Sequence, residues 1–352
     1  MTDMKEALRL AIERQASDIF IVSGFPMAFK IGDVIQPVDN ERLMPEATAR
    51  LIGQIYELEG IRGMDTLQKT GDDDFSFSIQ GLGRFRCNAY KQRNSLAAVL
   101  RAVYFNLPDY RSLNIPETVV NLSGKKKGLV LITGSAGSGK STTLACIIDR
   151  INQTRKCHVI TIEDPIEFLH SHNQSIVSQR EVSHDTLGYA KALRAALRQS
   201  PDVILLGEMR DFQTIQTALT AAETGQLVLS TLHTIGAAKT VDRIVDVFPG
   251  DQQQQVRVQL SMVLEAVVSQ QLIPTVSGGL VPAFEIMLVN SAIRNLIREG
   301  KSHQIDNALF AGAAEGMRTM DSDILRLYKA GTISRENALL YAANPDLLVK
   351  KL

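Results

Sequence analysis

A glycine-rich segment, "GSAGSGKST", joins a run of apolar residues to a segment with helical spacing. Its residues fit the pattern Gly-x-x-x-x-Gly-Lys-Ser over 134–141. In that pattern the glycines let backbone N–H groups turn inward around phosphate oxygens, the lysine reaches the β and γ phosphates, and the serine ligates magnesium. The segment therefore predicts a nucleoside triphosphate site that uses Mg²⁺. Its binding residues are expected to be Gly134, Ser135, Ala136, Gly137, Ser138, Gly139, Lys140, Ser141 and Thr142.

Three further apolar runs end in residues that could act on a phosphate. "VITIED" ends at Glu163 and Asp164, "VILLGE" at Glu208, and "LVLSTLH" at His233. If these runs are parallel strands, their ends reach the same crevice as the glycine-rich segment. A carboxylate there can orient an attacking water, and a histidine can report on the phosphate, so we expect Glu208, Glu163 and His233 to be catalytic. The other histidines lack such a position and are expected to be structural or exposed: His158, His170, His172, His184 and His303.

The roles of these acids stay open at this level. Many phosphate-loop ATPases carry a magnesium-linked Asp at the strand tip, where this sequence has Gly207 followed by Glu208. Ser141 would then carry more of the metal, with Glu208 acting through water, and either Glu208 or Glu163 could be the base. Asp164, which precedes a proline, could equally be a solvated loop carboxylate or a helix N-cap.

A sheet must position these residues, and the pattern after about residue 121 predicts one. Short apolar, β-rich runs alternate there with longer helical segments, which is typical of a parallel sheet covered on both faces. The earlier part shows an amphipathic helix and then period-two strands interrupted by glycines, which indicates an antiparallel meander. We therefore predict a small α+β domain over 1–105, a linker over 106–120 and an α/β domain over 121–352.

Helices are expected to dominate the end of the second domain. "QQQQVRVQLSMVLEAVVSQQL" follows Asp251, a good N-cap, and its apolar residues form one stripe, so a helix is predicted over 252–272. A strand at "AFEIML" comes next. From about residue 291 the chain is predicted to be mostly helical, with Gly300 and Gly331 ending helices and Ser334 beginning one.

Composition limits the partners and the compartment. The 352 residues carry 38 basic and 38 acidic side chains, so no net charge draws the chain to nucleic acid or to an anionic membrane. The N-terminal segment lacks the apolar core of a signal peptide, and no apolar run has the length of a membrane helix. We expect a cytoplasmic protein without direct membrane insertion. The three cysteines form no Cys-x-x-Cys pair, which argues against a zinc site.

Four signatures in a fixed order carry a resemblance to a known family. The loop at 134–141, "TIEDPIE", "LLGEMRD" and "STLHT" resemble the Walker A, Asp box, Walker B and His box of the secretion-type, RecA-like phosphate-loop ATPases. Those enzymes drive type II secretion and type IV pili. "AIRNLIREGK", over 292–301, is similar to the C-terminal signature of the pilus-retraction branch, although its spacing alone would indicate an ordinary amphipathic helix.

The resemblance implies a RecA-like ATPase domain preceded by a PAS-like α+β domain, with ATP and Mg²⁺ as ligands. It also implies a homohexamer that hydrolyses ATP to power pilus retraction and twitching motility. Such a ring would dock on an inner-membrane pilus platform protein, at the inner face of the cell membrane. In this family arginines of the N-terminal domain enter the nucleotide site, which implies that role for Arg86 and Arg93, and less strongly for Arg84 and Arg101.

Three alternatives remain. A pilus-assembly or type II secretion ATPase is the nearest, although those enzymes commonly carry Cys-x-x-Cys pairs, and no cysteine follows Cys157 here. A DNA-dependent RecA-like motor would need a basic surface that the neutral charge does not suggest. A nucleotide-binding regulator without hydrolysis is disfavoured because Lys140, Glu163 and Glu208 are all present.

Overall fold

The computed structural model describes residues 3–32, 34–103 and 107–352. The chain divides into two compact units, Met1–Asn106 and Leu107–Leu352. The predicted domain end at 105 and linker start at 106 lie outside the described residues. The segment from 107 to 120 belongs to the second unit, where Ile115, Val119 and Val120 are buried in the core.

The N-terminal unit is a six-stranded antiparallel sheet with helices on one face. Its strand order is β3-β2-β1-β6-β5-β4, which is two meanders joined by the pairing of β1 with β6. Its core includes the apolar face of the first helix and the inner face of the sheet, so the predicted α+β class is confirmed. The elements are α1 Met4–Glu13, β1 Asp18–Ile21, β2 Pro26–Ile31, β3 Val34–Arg42, α2 Pro45–Glu59, α3 Asp65–Thr70, β4 Asp72–Ile79, β5 Gly83–Gln92 and β6 Ser95–Val103.

The C-terminal unit contains a seven-stranded sheet in the order β13-β12-β7-β11-β10-β8-β9. All neighbouring strands are parallel except β12 and β13, which confirms the predicted mostly parallel sheet. The strands are β7 Gly128–Thr133, β8 His158–Glu163, β9 Ile176–Glu181, β10 Val203–Leu206, β11 Leu227–Leu232, β12 Leu264–Pro274 and β13 Leu280–Leu288. The helices are α4 Glu117–Val120, α5 Lys140–Thr154, α6 Tyr189–Ala196, α7 Phe212–Glu223, α8 Ala237–Asp246, α9 Gln253–Val263, α10 Ser291–Arg298, α11 Ile305–Ala311, α12 Met320–Lys329, α13 Arg335–Tyr341 and α14 Pro345–Val349.

The central strands of this sheet are apolar throughout because both of their faces are covered. Leu129 and Leu131 of β7 pack in the core on one face, with α7 and α8, and Val130 and Ile132 pack on the other face, with α5. All four are fully buried. Full burial of each such side chain stabilises the fold by roughly 1.5–3 kcal/mol, so the strands that carry the site are held firmly.

The predicted helix over 252–272 is wrong in its second half. The helix α9 ends at Val263, and the chain continues as β12, which pairs in parallel with β7 and antiparallel with β13. The N-cap is Gln252 rather than Asp251. The strand at "AFEIML" lies within β13, and Ser334 caps α13 as predicted.

No helix among the described residues has both the length and the apolar character needed to span a membrane.

Candidate nucleotide-binding site

The carboxyl ends of β7, β11, β10 and β8 lie side by side at one edge of the sheet. Backbone hydrogen bonds continue beyond the strands: Gly134 N donates to Leu232 O at 3.3 Å, and Gly207 N donates to Ile162 O at 2.8 Å. The segment after β10 is joined to β11 in the same way, because Met209 N donates to Thr231 O at 3.2 Å. The structure therefore brings the loop over 134–141, the two glutamates and His233 to the same edge.

The glycines of the loop are required by its shape. Gly137 and Gly139 have φ of 75° and 87°, a left-handed conformation that glycine adopts without strain. A Cβ at Gly134 would collide with the backbone carbonyl of Gln270 on β12, and one at Gly139 would lie 2.8 Å from the Gln270 side-chain nitrogen. Glycine is therefore needed at positions 134 and 139 because β12 approaches the loop closely.

Gln270 is a supporting residue that our reading of the sequence missed. It is buried, and its Oε1 accepts a hydrogen bond of 2.7 Å from Thr143 Oγ1 in the first turn of α5. This bond links β12 to the helix that follows the phosphate loop. Gln270 lies between Ser269 and Gln271 in the sequence, so its residue type did not single it out, and the wrong helix prediction concealed which way it faced.

The loop offers hydrogen-bond donors and a positive charge to an anion. Lys140 Nζ donates to the carbonyls of Gly134 and Ser135 at 2.9 and 2.7 Å, and burial lowers its pKa. Ser138 Oγ is buried and has no hydrogen-bond partner among the described residues. Buried polar groups are normally paired, and phosphate oxygens would satisfy both groups, so this loop fits the phosphates of a nucleotide.

Glu163 lies at the end of β8 with neutral hydrogen-bond donors around it. Its Oε1 accepts from Thr161 Oγ1 at 2.6 Å and from Gln179 Nε2 at 3.3 Å. Burial raises its pKa to about 7, and these hydrogen bonds only partly oppose that rise. The carboxyl group can therefore gain or lose a proton near neutral pH.

A small cavity of about 30 Å³ connects Glu163 to the phosphate loop. Ser141, Gly207 and Thr231 line it, together with His170, which we predicted to be structural. Among the described residues, no group of three or more His, Cys, Asp or Glu side chains is arranged to hold a metal ion. Mg²⁺ usually takes one or two protein oxygens and completes its shell with water and phosphates, so the Ser141 hydroxyl in this cavity, with the Glu208 carboxylate acting through water, fits this metal.

Glu208, just beyond β10, has two basic neighbours. Arg210 Nε lies 2.7 Å from Glu208 Oε2, and His233 Nε2 lies 3.3 Å from the same oxygen. The predicted pair of Glu208 and His233 is thus in contact. Arg210 follows Glu208 by two residues in "LLGEMRD". We assigned it no role, because the sequence alone does not show that its side chain folds back onto Glu208.

The N-terminal arginines differ in how firmly they are held. Arg101 Nε donates to the buried carboxylate of Asp18 at 3.0 Å. Arg86 Nε on β5 lies 3.9 Å from Asp74 Oδ1, and both side chains are about half exposed. Arg93 occupies an exposed turn between β5 and β6, with φ of 45°.

Two lesser predictions can be compared with the structure. Asp164 is exposed and no helix begins there, so the N-cap alternative for it is wrong. His158 contacts Gln199 O and Ser178 Oγ, and His172 Nδ1 accepts a hydrogen bond from Val177 N, which are structural contacts.

Comparisons with known proteins agree with this geometry. The family described as "Type II/IV secretion system protein" matches residues 1–279. The chain is 44% identical over 344 residues to the "Type IV pilus retractation ATPase PilT" of Pseudomonas aeruginosa, covering 98% of this chain and 99% of that protein. It is 47% identical over 305 residues to a "Twitching motility protein" of Neisseria gonorrhoeae, covering 86% and 82%. The "Crystal Structure of the Pilus Retraction Motor PilT and Bound ADP" superposes with a TM-score of 0.90, at 47% identity and 98% coverage of both chains.

Proposed function

Because the chain belongs to the family of type II/IV secretion system proteins, we propose that it is an ATPase motor that powers type IV pilus retraction. One observation carries the catalytic part of this proposal. Glu208 and His233 are in contact at the sheet edge from which the phosphate loop begins. The pilus part rests on the relatives named for retraction and twitching motility, which match over most of their length.

These positions support ATP hydrolysis. Lys140 neutralises the β and γ phosphates of ATP, and Glu208 orients a water for in-line attack on the γ phosphate and accepts its proton. Glu163 assists from the neighbouring strand, and His233, in contact with Glu208, responds to loss of the γ phosphate. Magnesium, when bound, would reduce the charge on the phosphates, with Ser141 as a direct ligand and Glu208 contributing through water.

The motor is proposed to be a homohexamer in which Arg86 and Arg93 reach a nucleotide site and stabilise the charge that develops on phosphoryl transfer. The weak ion pair of Arg86 supports its availability for this role. The ring is proposed to work in the cytoplasm, docked on an inner-membrane pilus platform protein. Loss of the γ phosphate would then be converted into a mechanical stroke.

The first test is deletion of the gene in the source cell, with complementation. Surface pili should accumulate and twitching should stop, because assembly continues without retraction. Wild-type protein should lower the number of surface pili again and restore twitching, whereas Lys140→Ala should do neither. Pili that vanish on deletion would contradict retraction and favour the assembly alternative.

A second test separates this protein from a DNA-dependent motor and from a regulator that hydrolyses nothing. Purified protein should release phosphate from Mg-ATP, and double-stranded DNA should not change the rate. Salt-sensitive stimulation by DNA would favour the DNA motor. Absence of phosphate release at saturating Mg-ATP would favour the regulator.

A further inference from the structure

Tyr189, the first residue of α6, places its hydroxyl against the tip of β10. The hydroxyl oxygen lies 2.8 Å from the position that a Cβ at Gly207 would occupy. The next atoms near that position belong to the β8 backbone: Glu163 Cα at 3.4 Å and Ile162 O at 3.5 Å. A Cβ at position 207 would therefore be too close to the hydroxyl, and the tyrosine side chain would have to shift to admit an aspartate at this strand tip.

The hydroxyl is held in place but is not paired within the described part of the chain. The Tyr189 ring is partly buried and packs against the core on its face of the sheet. No hydrogen bond among the described residues involves its side chain. Burial, and then the negative charges of Glu208, Asp164 and Glu163, raise the pKa of Tyr189, so the phenol keeps its proton.

A neutral hydroxyl suits this position better than a third carboxylate would. It can both donate and accept a hydrogen bond, whereas an aspartate at 207 would place another negative charge beside Glu163 and Glu208. Carboxylates that lie side by side disfavour each other's ionisation. The water that attacks the γ phosphate has two hydrogens to direct, and Glu208 can accept only the one that it removes.

Resting on the proposed hydrolysis, we infer that Tyr189 is a further catalytic residue, whose hydroxyl oxygen accepts one hydrogen of the attacking water while Glu208 accepts the other. The O–H bond of the tyrosine stays intact throughout. The proton that leaves the water goes to Glu208, and the new P–O bond forms as the bond to ADP breaks. Tyr189 thus fixes the orientation of the water, and Glu208 takes its proton.

Tyr189→Phe tests this role because it removes one oxygen and keeps the packed ring. We expect kcat to fall by roughly 10-fold to 100-fold, less than for loss of the base itself. The KM, the ATP dissociation constant and the melting temperature should stay within error of wild type. In a Glu208→Gln background the same change should reduce kcat much less, because both groups act on one water. Tyr328→Phe, on α12, is the matched control and should change nothing.

The position of the hydroxyl is tested separately with Gly207→Ala. Alone, this variant should lose stability, because its methyl group meets the hydroxyl. In the Tyr189→Phe background the loss should largely disappear, whereas kcat should stay low. An equal loss of stability in both backgrounds would contradict the placement of the hydroxyl.

The outcomes distinguish the two proposals. A wild-type protein that releases no phosphate would overturn the proposed function and this role together. An active wild type with Tyr189→Phe within twofold of its kcat would overturn the role of Tyr189 alone. A fall in melting temperature that parallels the fall in kcat would show that the tyrosine is only structural.

Discussion

Glu163 and Glu208 end adjacent strands, but their surroundings differ in charge. Glu208 Oε2 has Arg210 at 2.7 Å and His233 at 3.3 Å, so its negative charge is compensated by the protein. Glu163 is held by the hydroxyl of Thr161 and the amide of Gln179, which carry no charge. The proposed assignment of Glu208 as the base therefore rests on its position at the tip of β10 and its contact with His233, and Glu163 is the partner whose charge depends on pH.

Glu163 predicts a pH dependence of stability. Its pKa rises from 4.5 to about 7 in the folded protein, so between these values the folded state binds more protons than the unfolded state. The stability that this group contributes is present below about pH 4.5 and is lost as the pH rises through about 7. At about 1.4 kcal/mol per pH unit, the loss is at most about 3 kcal/mol.

The isosteric variant Glu163→Gln measures this loss. Its unfolding free energy relative to wild type should rise by up to about 3 kcal/mol between pH 4.5 and pH 8, in urea titrations at several pH values. The exposed Glu336→Gln serves as the control, for which the difference should not vary with pH. A constant difference for Glu163→Gln would contradict the raised pKa.

At the scale of elements, the four short apolar strands that carry the site were predictable, whereas β12 and the exposed edge strand β3 were not. β7, β8, β10 and β11 are short continuous apolar runs, and their order brings the predicted site residues together. β3 was missed because it is an edge strand whose residues are mostly exposed, which leaves no alternation to read. The tyrosine beside Gly207 was unpredictable because it depends on how α6 meets the tip of β10, and the Arg210 contact because it depends on the backbone path of the loop after β10.

The error at α9 and β12 has a physical cause. The run after Val263 has helical spacing, yet it forms a strand whose residues are mostly buried and whose two edges pair with β7 and β13. Strand pairing in a sheet outweighs local propensity when both faces are also covered. This outcome places the buried Gln270 beneath the phosphate loop.

Gln270→Ala should therefore weaken nucleotide binding. It leaves Thr143 Oγ1 without its acceptor and opens a cavity under the loop, which together cost on the order of 2–4 kcal/mol of stability. We expect ATP affinity to fall roughly tenfold, because part of that cost is borne by the loop in its binding conformation. Gln270→Met restores the volume without the hydrogen bond and should recover part of the stability.

Fluorescent-nucleotide titration and thermal melting measure these effects. Gln271→Ala, at the next and partly exposed position, is the matched control and should leave affinity unchanged. Wild-type affinity in Gln270→Ala would show that β12 does not support the loop.

At the scale of the whole molecule, the proposed ring shares its sites between subunits. Arg86→Ala should impair hydrolysis more than binding, because an arginine acts on charge that develops during transfer. If the arginine comes from a neighbour, rings that mix Arg86→Ala subunits with Glu208→Gln subunits contain some complete sites. Those mixtures should regain phosphate release that neither variant has alone, with a maximum near equal proportions.

Mass measurement of the mixed rings checks that the subunits exchange. The control mixture combines Glu208→Gln subunits with Arg335→Ala subunits, in which the changed arginine is exposed on α13. Mixed rings that recover no activity at any ratio would contradict the sharing of sites.

The most direct test of the account is phosphate release by Glu208→Gln under saturating Mg-ATP, measured together with ATP affinity. The variant keeps the size of the side chain and removes its capacity to take a proton, so binding should persist while turnover falls by at least 100-fold. The exposed Glu336→Gln should turn over like wild type. Near-normal turnover by Glu208→Gln would contradict the assignment of the strand-tip glutamate as the catalytic base.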